Sequence, residues 1–191
     1  MIGSRKRRGL ITLICCFSIV QAMAQAPGIF LTRKAHISFY SSAPIEDIQA
    51  QSDQAVSAIN TSTGDIYFKV RINSFQFPNG LMQEHFNDDY LESEQYPYAE
   101  FKGKISDPAG LKTRGRRTVT IQGNLTIHSV TRPYTVQGDL SVDSTGIAAH
   151  SIFNVSLKDH GIKIPTIVMH HIAEVVKVTV TADYLPATGH P

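Results

Sequence analysis

The sequence is short of the features that most often announce a function. Of its 191 residues only two are cysteine, Cys15 and Cys16, and both sit near the start. Past them, thiol chemistry and disulfide staples are excluded, so the rest of the chain is held by its own core. The one apolar run, Leu10 to Val20, is too short to span a membrane, and no second run follows. No internal repeat, low-complexity tract or linker divides the chain. There is no Gly-x-Ser-x-Gly elbow, and no serine triad can be assembled from spacing.

The opening residues read as an export leader. Arg5, Lys6, Arg7 and Arg8 precede the apolar run, and Ala22-Met23-Ala24 gives a small-x-small cleavage pattern. Residues 1–24 are therefore expected to be a signal peptide and Gln25 the first mature residue, giving a periplasmic or secreted protein. Leu13-Ile14-Cys15-Cys16 lacks the small residue that would precede a lipidated cysteine. Removing the leader's four basic residues from 18 Lys+Arg leaves 14 against 16 Asp+Glu, a net charge of −2. The basic excess belongs to the leader. Nucleic acid is excluded as a partner on that balance, and Lys112, Arg114, Arg116 and Arg117 read as a solvated loop.

What is present is alternation. Ile66, Phe68, Val70 and Ile72 form one such set, and Val119, Ile121, Leu125 and Ile127 another. Tyr134, Val136, Leu140 and Val142 make a third, with Phe153, Val155 and Leu157 after it. Val176, Val178, Val180, Ala182 and Tyr184 close the series. Period-two patterning of this kind predicts antiparallel strands with one apolar face. Turns are predicted at Thr63-Gly64-Asp65, Pro108-Ala109-Gly110, Thr131-Arg132-Pro133 and Ser144-Thr145-Gly146. His36–Ser41 and Ile45–Ala50 read as short strands, whereas 54–60 alternates poorly and 42–64 stays without a firm assignment. About eight strands in one domain over 25–191 fit a sandwich or a closed barrel. A barrel of that size is filled by side chains or holds one small ligand. Gly123 and Gly138, at inward positions, mark either a vacancy or a bulge or corner.

One segment breaks the pattern. Met82, Phe86 and Tyr90 at i, i+4 and i+8 predict a short amphipathic helix over about residues 80–91, followed by a Tyr96-Pro97 break and a strand at 100–105. A lone helix between strands must cover or close something. Its acids, Glu84, Asp88, Asp89, Glu92 and Glu94, read as a solvent face rather than as acid–base catalysts. Eight histidines invite a metal reading. His170 and Glu174, with His171 adjacent, have i, i+4 spacing, but three converging ligands are not evident. Glu84-His85 and Asp159-His160 lack partners at motif spacing. No catalytic or metal site and no cofactor are assigned.

The His85-Phe86 pair and the run Tyr96-Pro97-Tyr98-Ala99-Glu100-Phe101 resemble the middle of the YceI-like family of bacterial lipid and polyisoprenoid carriers. The likeness extends through Val119–His128, with Val130-Thr131 after it, and through Phe153–Asp159 with Gly161-Ile162 and Ile164-Pro165. It covers about residues 34–185. Ser129 stands where the family commonly has glycine, and 42–64 fits poorly. The resemblance implies an all-β, lipocalin-like antiparallel barrel with one helix. It further implies a non-enzymatic carrier or store of an isoprenoid or similar lipid, of quinone or prenyl phosphate type. The lumen and mouth positions it suggests are Phe68, Phe75, Phe77, Met82, Phe86, Tyr90, Phe101, Phe153 and Leu157. Plain core packing is the competing reading for each. At the level of the protein, the competitors are a structural barrel with a filled interior and a hydrolase or metal protein using the histidine-rich segment. Oligomeric state is not legible.

Overall fold

Strand alternation becomes a closed wall. The computed structural model describes residues 28–42, 47–163 and 174–187. Its strands are β1 (Ile29–Ser41), β2 (Ile48–Asn60), β3 (Asp65–Arg71), β4 (Tyr98–Ile105), β5 (Gly115–Ile127), β6 (Val130–Val142), β7 (Ile147–Ser156) and β8 (Val175–Pro186). Each pairs antiparallel with the next, and β8 returns to β1. The only α-helix among the described residues, α1 (Gly80–His85), runs on as a π-helical turn over Phe86–Tyr90. The Asn79 side chain caps α1 by accepting from the Leu81 N–H at 3.0 Å.

The first two strands are longer than the sequence suggested. Inward positions of β2 are Ala50, Ser52, Ala55, Ser57 and Ile59, mostly small, so they carry little hydrophobic signal. The phase also slips. Register shifts lie between Thr32 and Ala35 and between Ala35 and Ile37, first with an extra residue on β1, then with one on β2. The two offsets cancel, so both strands keep one face inward while neither alternates cleanly.

The predicted turn at Thr131-Arg132-Pro133 is corrected. Those residues lie inside β6, and the reversal is made by His128 and Ser129 with φ of 50° and 61°. Two residues in the left-handed region form the tight turn whose twist matches a β-hairpin. Ser129 holds the second left-handed position of that turn.

The ends of the barrel differ. At the end where β2 meets β3, Ile59, Ile105 and Ile147 are essentially inaccessible, and Leu111, on a 3₁₀ turn over Pro108–Lys112, packs in with them. There the Tyr184 hydroxyl meets Ser57 Oγ at 2.8 Å, and Ser57 donates to the Tyr67 carbonyl at 2.6 Å. Burial of Tyr184 pushes its pKa up to about 12. The opposite end carries α1 and its π turn, between β3 and β4.

Candidate ligand-binding cavity

The inward side chains of the barrel do not fill the space they enclose. A cavity of about 400 Å³ remains, and residues of all eight strands, α1 and the π turn line it. That volume falls in the range of about 300–1,000 Å³ common to small-molecule sites.

All nine residues singled out from sequence line this one cavity: Phe68, Phe75, Phe77, Met82, Phe86, Tyr90, Phe101, Phe153 and Leu157. They come from separate elements. Phe68 and Phe101 are cross-strand partners on β3 and β4. Phe75 and Phe77 follow a 3₁₀ turn after β3, where Gln76 and Gln51 exchange backbone hydrogen bonds and fasten the segment to β2. Met82, Phe86 and Tyr90 face the lumen from α1 and the π turn.

The sequence reading missed Phe39. Its ring lies 5.4 Å from Phe75, 5.8 Å from Phe77 and 5.6 Å from Phe86, completing a cluster of four phenyl rings under the helix. Aromatic pairs at these separations add to area burial. The signal was Phe39's place on the inward side of β1, hidden by the bulge four residues earlier.

The glycines resolve in two ways. Gly103 and Gly123 are direct partners on β4 and β5, and a Cβ on either would fall within 3 Å of the Phe101 ring. Gly123 is therefore the seat of a ring, not a vacancy. Gly138 borders the cavity itself, where a Cβ would meet Ile121 Cδ1 at 3.2 Å.

Polar groups near the cavity are already engaged. His160, 0% exposed, sits on a 3₁₀ turn after β7. Its Nδ1 lies 3.0 Å from the Val130 carbonyl, which only accepts, so Nδ1 carries the proton. Nε2 then accepts from the Tyr134 hydroxyl at 3.2 Å. Burial holds the His160 pKa below the ordinary range, so the ring is neutral. Asp159-His160 is thus a structural pair of contacts, another feature that sequence spacing did not reveal. The Glu100 carboxylate is bound by Lys69 at 3.0 Å and by the Tyr67 hydroxyl at 3.1 Å. The Lys69 ammonium holds its pKa below the usual carboxylate range.

Glu84, Asp88, Asp89, Glu92 and Glu94 are all exposed. His85 pairs with Asp89 at 2.6 Å, and His128 with Glu92 at 2.6 Å. No group of three metal-ligating side chains occurs among the described residues. His170 and His171 lie outside those residues. The arrangement is suited to sequestering apolar carbon.

Comparison with known proteins agrees with the barrel. A family model described as a YceI-like domain matches residues 30–184. A polyisoprenoid binding domain from Saccharophagus degradans, implicated in plant cell wall breakdown, superposes with a TM-score of 0.73 at 18% identity. That match covers 83% of this chain and 98% of that one. Burkholderia cenocepacia BcnA gives 0.65 at 13% identity, covering 77% and 94%. The Campylobacter jejuni YCEI protein gives 0.54 at 16%, covering 72% and 81%. At these identities the likeness is one of fold. No curated protein matches.

Proposed function

We propose, for a chain that belongs to the YceI-like domain family, that the cavity holds the hydrocarbon tail of an isoprenoid or similar amphiphilic lipid. The protein would then act as an exported carrier or store rather than as an enzyme. The observation that carries this reading is the unfilled, phenyl-rich lumen of the barrel. The polyisoprenoid-binding neighbour from Saccharophagus degradans adds weight to the choice of ligand class.

The magnitudes are compatible. At ~30 Å³ for each small group, the cavity takes about a dozen methylene-sized units. Burying each is worth about 0.8 kcal/mol, on the order of 10 kcal/mol in all. Micromolar binding needs about 8 kcal/mol, which leaves a margin for ordering a flexible tail. Polar contacts are not required. A prenyl tail longer than this extends beyond the cavity.

Native mass spectrometry of protein purified from its source cells tests the proposal. An added prenyl-sized mass is expected; a bare chain under conditions that preserve lipid complexes overturns it. N-terminal sequencing of the same sample tests export, with Gln25 as the expected first residue.

A further inference from the structure

The wall of the barrel is not bonded along its whole height. Between β6 and β7 the ladder runs from Val142↔Ile147 only as far as Gly138↔Ser151. Beyond that point, Val130–Gln137 have no ladder partner on β7 among the described residues, while β7 continues to Ser156 paired with β8 alone.

One contributor is legible in β6. The two-residue turn at His128-Ser129 makes Ile127↔Val130 a bonded pair. Bonded and non-bonded pairs then alternate, so Pro133, opposite Asn124, turns its ring nitrogen toward β7. That nitrogen has no hydrogen to give. Gln137 has the same parity, and its carbonyl does face β7, accepting from Ser151 Oγ at 2.6 Å where the ladder ends.

Side chains close this seam. The Tyr134 and Phe153 rings meet edge to face across it at 6.3 Å, and both line the cavity. Toward the α1 end it is bracketed by the turn after β7. Arg132 Nε donates to the Asp159 carbonyl at 2.8 Å, His160 bonds Val130, and Tyr134 bonds His160. Ile152, 54% exposed, supplies an apolar outer lip.

We infer that the β6–β7 seam is a side portal, through which a single apolar chain slides between the cavity and a lipid phase, with Tyr134 as its gate. The inference rests on the lipid-binding reading above. Opening here breaks the bonds of one hydroxyl, to the His160 imidazole and to the Ser156 backbone, and a ring contact. Opening any ladder-bonded section breaks backbone bonds, and the α1 route displaces the four-phenyl cluster. A chain too long for the cavity also finds here a way out that leaves the barrel closed.

The test uses the full chain with Cys15 and Cys16 replaced by serine. Thr135→Cys and Asn154→Cys, both at exposed positions flanking the seam, are joined by a short bis-maleimide, with closure verified by mass. Thr126→Cys and Thr131→Cys, whose hydroxyls lie 2.8 Å apart across the bonded β5–β6 ladder, serve as the control bridge. Stopped-flow transfer of dansylated farnesol from phosphatidylcholine vesicles is followed. The seam bridge is expected to slow uptake about tenfold or more with equilibrium binding unchanged, and the control to leave the rate alone. Tyr134→Phe is expected to speed uptake several-fold. Equal rates with the probe bound overturn the portal alone. Absence of bound probe at equilibrium overturns the lipid-binding reading and the portal with it.

Discussion

The same eight strands build two different interiors. At the Leu111–Ile147 end, side chains close the barrel and the buried hydroxyls of Tyr184 and Ser57 satisfy one another. At the α1 end, four phenyl rings and a helix surround empty volume. Leu111 and Ile147 contribute packing alone, whereas Ile59, Ile105 and Tyr184 serve both as packing and as the floor of the cavity. Neither half needs a special backbone to differ.

Substitutions that separate the halves break or sharpen this comparison. The largest effect is expected from Phe153→Arg, which puts a charge at the cavity wall. Lipid co-purification should vanish while the protein stays soluble, as read by mass spectrometry and gel filtration. Retained lipid would place the ligand elsewhere. Next comes a crossover in chemical denaturation. Ile147→Ala, buried but outside the cavity lining, should cost about 2–5 kcal/mol of stability and leave lipid affinity little changed. Phe86→Ala, beside space already empty, should cost only about 1–2 kcal/mol yet weaken binding measurably.

The third test is alkaline. Tyr184 titrates near 10 when unfolded and at about 12 when folded, so the folded state favours the neutral phenol. Its contribution is fully present below pH 10 and is lost as pH rises toward 12. Denaturation midpoints should fall over that window, and Tyr184→Phe should flatten the fall by on the order of 2–3 kcal/mol. The smallest effect concerns neither half. Ser129→Gly relieves a left-handed residue in the hairpin turn and should stabilise by about 1 kcal/mol, with binding unchanged.

Legibility in the sequence follows the same physics. β5 to β8 carry branched and aromatic residues at most inward positions, so their strands and inward faces could be read directly. The nine cavity positions were found because large apolar residues on inward faces converge wherever a barrel closes. β1 and β2 were obscured by alanine and serine at inward positions and by two cancelling offsets. Pro133 misled for a definite reason. Proline in a short polar run usually marks a reversal, and here it sits in a strand beside an unbonded edge that makes no use of its missing donor. His160 was invisible because its partners, Val130 and Tyr134, come from a different strand.

The glycine pair under Phe101 makes the volume of the lumen adjustable from the wall. Gly103 and Gly123 let two strands close up beneath an aromatic ring. One methyl group added at Gly103 would have to push that ring off its seat, toward the space a tail would occupy. A change of one carbon on the β4–β5 face would thus be felt as the displacement of six in the interior, and the accepted tail would shorten without any residue at the opening having changed.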